Sequence, residues 1–250
     1  MYHKSSLHGK LYSDITNRAI IIGLLMMPII VYLIALQEMI WHALHWSSMS
    51  LPQISVFVIA ILIIINLIVT RLYPRFRLSQ NEILVIYVMV SATTAFTSHD
   101  NMVCLMGVLA HGFFYATPEN DWANLFHNYL PDWLVIKNHN AAMDFYKGES
   151  NFFIAEYVKS WLPVMFAWSF LICTLFFMLI CISVIIRKRW TEQEKLSYPI
   201  IQIPLRMTEP DYALFKNRTM WIGFAVAGGI SIINGLNFLY PSIPRIPIKE

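Results

Sequence analysis

Apolar positions in this chain come in long runs separated by short polar groups, rather than alternating face by face. A helix that crosses a bilayer needs about 20 mostly apolar residues. Residues 19–36, 54–70, 161–186 and 220–239 meet or nearly meet that length. A further run, 83–97, is shorter and ends in the polar sequence TSHDNM. Beyond it, 102–114 is apolar again but interrupted by Gly107, His111 and Gly112. The pattern predicts an all-α polytopic transmembrane helix bundle of about five spans, in a single membrane domain over 1–250. In this reading 102–114 is re-entrant or interfacial, and a structured outer segment covers 117–158. Within that segment, Trp122, Leu125, Phe126 and Leu130 sit at helical spacing before Pro131, and Asn140 and Gly148 bracket a short helix.

Composition agrees. Hydrophobic residues make up 57% of the chain and charged residues 13%, so the lipid bilayer is the expected partner. The net charge of +3 does not argue for nucleic acid, because the basic residues flank the apolar runs. They report topology instead. Lys4, Lys10, Arg18, the arginines at 71, 75 and 77, and the basic residues from Arg187 to Arg218 share one side if 102–114 does not cross. The positive-inside rule makes that side cytoplasmic and the N-terminus cytoplasmic, in an inner membrane. The first run is too long for the h-region of a signal peptide and no small-residue cleavage site follows, so it reads as an uncleaved span. Trp41, Trp46, Trp161, Trp190 and Trp221 fall at run ends, where an aromatic belt sits.

Polar residues inside such a protein are the candidates for chemistry. His99, Asp100 and Asn101 form the one ionisable cluster at a span end. A histidine beside a carboxylate suits proton or ion coupling; the same residues also suit the solvated end of a short span. Asn66, Asn234 and Asn237 are uncharged candidates for solute contact or for interhelical hydrogen bonds. Gly223, Ala227, Ser231 and Gly235 form a small-residue stripe fit for close helix packing, against this chain or a further one. His42 and His45 have the spacing of a metal pair but no matching carboxylate, and no metal or other cofactor is expected. Cys104, Cys173 and Cys181 read as small buried thiols. Nucleotide-binding and hydrolytic motifs are absent.

The stretch RKRWTEQEKLSYPIIQIPL after the fourth long run reads as a capping box at Thr191 and Glu194, a short helix stopped by Pro199, and an extended piece over 196–205. Through Trp190, Glu192, Glu194, Leu196, Tyr198, Pro199, Gln202 and Pro204 it resembles a family of large, functionally uncharacterised bacterial polytopic membrane proteins. RFRLSQNEILVIY and FYATPENDWANLFHNYLPDWLV extend the resemblance. That family is in turn distantly similar to the oligopeptide transporter superfamily, although Ile200, Ile201 and Gln202 replace the small residues found there. The resemblance implies further spans beyond this length, this chain being an N-terminal portion. Two functions are expected: a secondary carrier of a small organic solute, from that similarity and the His99 and Asp100 cluster, or a scaffold subunit whose outer segment binds a partner, from the small-residue stripe and the aromatic outer segment.

Overall fold

A computed structural model describes residues 16–40, 47, 52–148, 150–195, 198–209 and 211–247, with the side chains of Met39 and Met102 excepted. Lys4, Lys10, Trp41, His42, His45, Trp46 and Leu196 lie outside the described residues. The described residues are helical and contain no strand. In chain order the helices are α1 (Asn17–Ile34), α2 (Gln53–Leu72), α3 (Gln80–Phe96), α4 (Met106–Phe114), α5 (Trp122–Leu125), α6 (His139–Lys147), α7 (Ala155–Lys188), α8 (Pro199–Met207), α9 (Ala213–Lys216) and α10 (Arg218–Leu239). Three π turns, Ala35–Ile40, Asp100–Leu105 and Arg189–Gln193, join or extend them.

Among the described residues, four helices are long and apolar enough to cross a membrane: α1 with its π turn, α2, α7 with its π turn, and α10. The protein is a multi-pass membrane protein built as a helical bundle. Helix α3 has 17 residues and so reaches roughly 25 Å. That is short of the roughly 30 Å hydrocarbon core. The apolar helix Val103–Phe114 is shorter still.

The chain divides into two compact units. The first takes its described residues from 1–22, 56–88 and 199–250. Its core is Ile59 and Ile63 of α2, Ile83 of α3 and Met207 of α8, flanked by Leu78, Tyr212, Leu214 and Phe215. Beside this core, Ser79 and Glu82 form a capping box that starts α3: the Ser79 amide donates to Glu82 Oε2 (2.7 Å) and the Glu82 amide to Ser79 Oγ (3.3 Å). The same carboxylate is clamped by Arg18, whose Nη2 lies 2.9 and 2.8 Å from its two oxygens and also donates to the Arg77 carbonyl (2.9 Å). Thr16 donates to it as well.

The second unit takes its residues from 23–55 and 89–198. Leu109 and Ala110 of α4, Ile136, Ala141 and Ala142 of α6, and Trp161 and Val164 of α7 form its core. Carbonyls of α4 and of the loop before α6 are tied individually around this core. Tyr146 donates to Gly107 (2.6 Å), Trp168 to Leu134 (2.9 Å), and the Ile136 amide to the Leu109 carbonyl (3.0 Å). Burial pushes the Tyr146 phenol above its usual range, with Tyr115 adding to the effect, so it stays a proton donor. Gly23 of α1 faces Met89 so closely that a β-carbon there would collide with its sulfur.

Several sequence expectations need correction. Pro199 does not stop a helix; it opens α8, where its missing N–H costs nothing, and Pro204 sits inside that helix. The break comes earlier, at Lys195 and Tyr198, both with positive φ. Thr191 is no cap, because α7 arrives unbroken and the hydroxyl donates back to the Arg187 carbonyl (2.7 Å); Glu194 pairs with Arg189 instead. Helix α6 is capped by Asn138, which accepts from the Ala141 amide, and not by Asn140; Gly148 at φ 72° does end it. Trp122 to Leu125 gives one turn only, since Phe126 leaves helical geometry. Trp161 is buried in the second unit's core against Phe145, because α7 begins six residues earlier, whereas Trp190 and Trp221 are exposed. The three cysteines are exposed rather than buried.

Burial acting alone raises the Glu82 carboxyl, but the bonds from Arg18, Thr16 and Ser79 and the Arg18 charge outweigh it and hold the group at about 2. Since the folded value lies below the ordinary 4.5, the stabilisation is complete above that pH and is lost as pH falls toward 2. Thermal unfolding of the purified protein should show an acid-labile contribution on the order of 3 kcal/mol. Glu82→Gln should lower stability near neutral pH and flatten the acid limb; an unchanged limb would refute the assignment.

Candidate functional site

Helix α1 does not end at Ile34 but widens into the π turn Ala35–Ile40. A π turn inserts a residue and re-aims the side chains after it, which is why such turns gather at functional sites. Here Glu38 ends up 3% exposed. The π turn Asp100–Leu105 packs against this one within the second unit. Between them lies a polar knot of three residues remote in sequence. The Ser47 amide donates to Glu38 Oε1 (3.0 Å), and the His99 amide donates to Ser47 Oγ (3.1 Å). His99 Nδ1 stands 4.0 Å from Glu38 Oε2.

That distance is too long for a direct hydrogen bond and short enough for strong attraction when the imidazole is protonated. Glu38 Oε2 has no hydrogen-bond partner among the described residues. A carboxylate buried with one oxygen satisfied and the other facing an imidazole can take a proton or a small cation, and the histidine beside it can share the load. Ser55 and Thr94, both fully buried, add a second polar contact in this unit (3.2 Å). Among the described residues, no three His, Cys, Asp or Glu side chains converge as a metal site would require.

The expected pairing of His99 with Asp100 is not what the chain builds. Neighbouring residues on a helical turn point in different directions, so His99 faces Glu38 while Asp100 is exposed. Asp100 instead rims a shallow apolar groove with Cys104, Val108, Trp168 and Leu171. Asn101 donates to the Phe96 carbonyl (2.9 Å) at the end of α3. Asn66 is tied to the backbone of Leu78, and Asn234 to that of Ile246. Asn237 donates to the Ile243 carbonyl.

The small-residue stripe of α10 lies exposed, with nothing within 4 Å of a β-carbon built at Gly223 or Gly235. Trp190 and Glu192 are exposed on the π turn after α7, and Gln202 is exposed on α8. Glu38 was missed from sequence because the first apolar run was closed at residue 36. A single acid set between apolar Ala35 and Ile40 was the available signal.

Glu38→Ala removes the acceptor of a buried amide and should cost about 1–3 kcal/mol in unfolding free energy. Asp100→Ala, at an exposed position, should stay within about 0.5 kcal/mol. Equal effects in denaturant titrations would show that the knot is not the structured site.

Comparison with curated proteins and with solved structures returns no match. A family model does match, over residues 10–250, and its description is a family of unknown function, DUF6785. With nearly the whole sequence covered, the chain belongs to the DUF6785 family.

Proposed function

We propose that this chain is, or forms part of, a secondary carrier of the bacterial inner membrane that moves a small organic solute. Glu38 and His99 are its proton- or cation-binding pair. The observation that supports this reading is the buried Glu38 carboxylate, 4.0 Å from the His99 imidazole. An ionisable pair in such a place is costly to keep and commonly marks an ion or proton path. Two π turns that hold the pair provide backbone able to change register when it loads or discharges.

Within this reading Glu38 binds the proton or cation and His99 tunes it. Asp100, at the mouth of an apolar groove, meets solute or solvent. Asn66 and Asn234 serve the backbone rather than the solute, since both ends of each amide are engaged. The N-terminus is cytoplasmic in this arrangement, with the exposed isoleucines 200, 201 and 203 of α8 resting in the lipid interface. The exposed stripe on α10 favours a second reading, a scaffold subunit that packs another helix there.

Reconstitution of the complete gene product in liposomes with a panel of small organic solutes and an imposed proton gradient tests the carrier. Glu38→Gln should abolish gradient-driven uptake, and His99→Gln should displace its pH profile. Asp100→Asn should leave gradient dependence in place. Full proton-linked uptake by the Glu38→Gln protein would remove the coupling role, and a panel with no transported member would favour the scaffold.

A further inference from the structure

Two helix exits in the first unit are built alike. At the end of α2, Asn66 Oδ1 accepts from the Leu78 amide (2.8 Å) and its Nδ2 donates to the Leu78 carbonyl (3.1 Å). At the end of α10, Asn234 Oδ1 accepts from the Ile246 amide (2.8 Å) and its Nδ2 donates to the Ile246 carbonyl (3.0 Å). Both bonds join a residue to the one twelve positions on.

The turns between agree as well. The Tyr73 amide donates to Val69 and the Phe76 amide to Tyr73; the Tyr240 amide donates to Leu236 and the Ile243 amide to Tyr240. Tyr73 has φ −139° and ψ 81°, and Tyr240 has φ −130° and ψ 91°. The sequences underneath correspond with a one-residue shift in the middle: IIN at 64–66 and 232–234 and Arg77–Leu78 and Arg245–Ile246 lie 168 positions apart, and LYP at 72–74 and 239–241 lies 167 apart. Four residues after Leu78 comes Glu82, and four after Ile246 comes Glu250, which lies outside the described residues. A shared tripeptide could be chance; one asparagine clamp and one turn, recurring together inside the same twelve-residue span, mark a copied element.

The copies run in opposite senses. Helix α2 ends among Arg71, Arg75 and Arg77, while α10 begins beside Lys216 and Arg218, and basic clusters gather on one face. Packing gives the same order: Leu78, at the α2 exit, flanks the same core as Leu214 and Phe215, which lead into α10. From there the 22 residues of α10 extend roughly 33 Å, the thickness of a bilayer core.

We propose that the Asn66 and Asn234 exits are two copies of a duplicated element set in opposite senses in the membrane, one at each face. The chain thus carries an inverted repeat about an axis in the membrane plane. The duplication stands apart from what the protein moves. Its use rests on the carrier reading, in which inverted copies supply the matched inner and outer ends of an alternating-access path.

The test is side-specific labelling of the complete gene product with Cys104, Cys173 and Cys181 replaced by alanine. Arg75→Cys and Ser242→Cys, at exposed turn positions, are probed with a membrane-impermeant maleimide in intact and then permeabilised spheroplasts. Ser242→Cys should label in intact spheroplasts, while Arg75→Cys should lose labelling there and regain it on permeabilisation. Phe76→Cys and Arg245→Cys, also exposed, form a second pair if either variant fails to accumulate. Labelling of both exits from the same face would overturn the inversion whether or not uptake is observed.

Discussion

Backbone amides and carbonyls released where a helix ends have no water to turn to within a bilayer, and most of this architecture follows from that constraint. The Phe96 carbonyl, at the end of α3, receives the side-chain N–H of Asn101. Asn66 and Asn234 go further and satisfy a donor and an acceptor on a single residue, imitating one rung of a sheet in a protein whose described residues contain none. Side-chain amides are suited to this because they alone present both functions at peptide geometry. Asparagine within these spans is therefore structural first.

Charge is handled in two contrasting ways. Glu82 is saturated: a bidentate guanidinium, a hydroxyl and a backbone amide surround it, and the same arginine reaches the Arg77 carbonyl. Such a group holds its charge over the physiological range and serves to fix where α3 begins. Glu38 is equally buried and, among the described residues, receives one backbone donor and faces a histidine across a 4.0 Å gap. Among the described residues, two glutamates of similar exposure thus differ in their surroundings: one is closed in by a guanidinium, a hydroxyl and an amide, the other faces an imidazole.

The helical membrane class was legible because long apolar runs leave few alternatives to spanning helices. Helix ends were not, and the reasons are local. The pattern Ser79-x-x-Glu82 was a true capping box that went unread beside a longer motif, whereas Thr191-x-x-Glu194 had the right letters inside a helix that had not ended. Pro199 looked like a stop because a proline's missing donor hurts a helix interior, yet at the first position it favours a start. The partner of His99 could not be read from adjacency, since sequence neighbours on a helical turn diverge while Glu38, 61 residues away, arrives by packing. Trp161 shows the same limit: its position near a run end suggested the interface, and packing against Phe145 placed it inside.

The clamp at Asn234 also has a chemical side. Gly235 follows it directly, and an asparagine before glycine is the pair most open to succinimide formation and deamidation, because no side chain shields the attacking backbone nitrogen. Helical geometry keeps that nitrogen turned away from the amide carbon, and bonds at both ends of the amide hold χ angles that the cyclisation would have to abandon. Cyclisation there would require the α10 exit to open first, and the ammonia it releases would take with it the N–H that Asn234 offers to the Ile246 carbonyl.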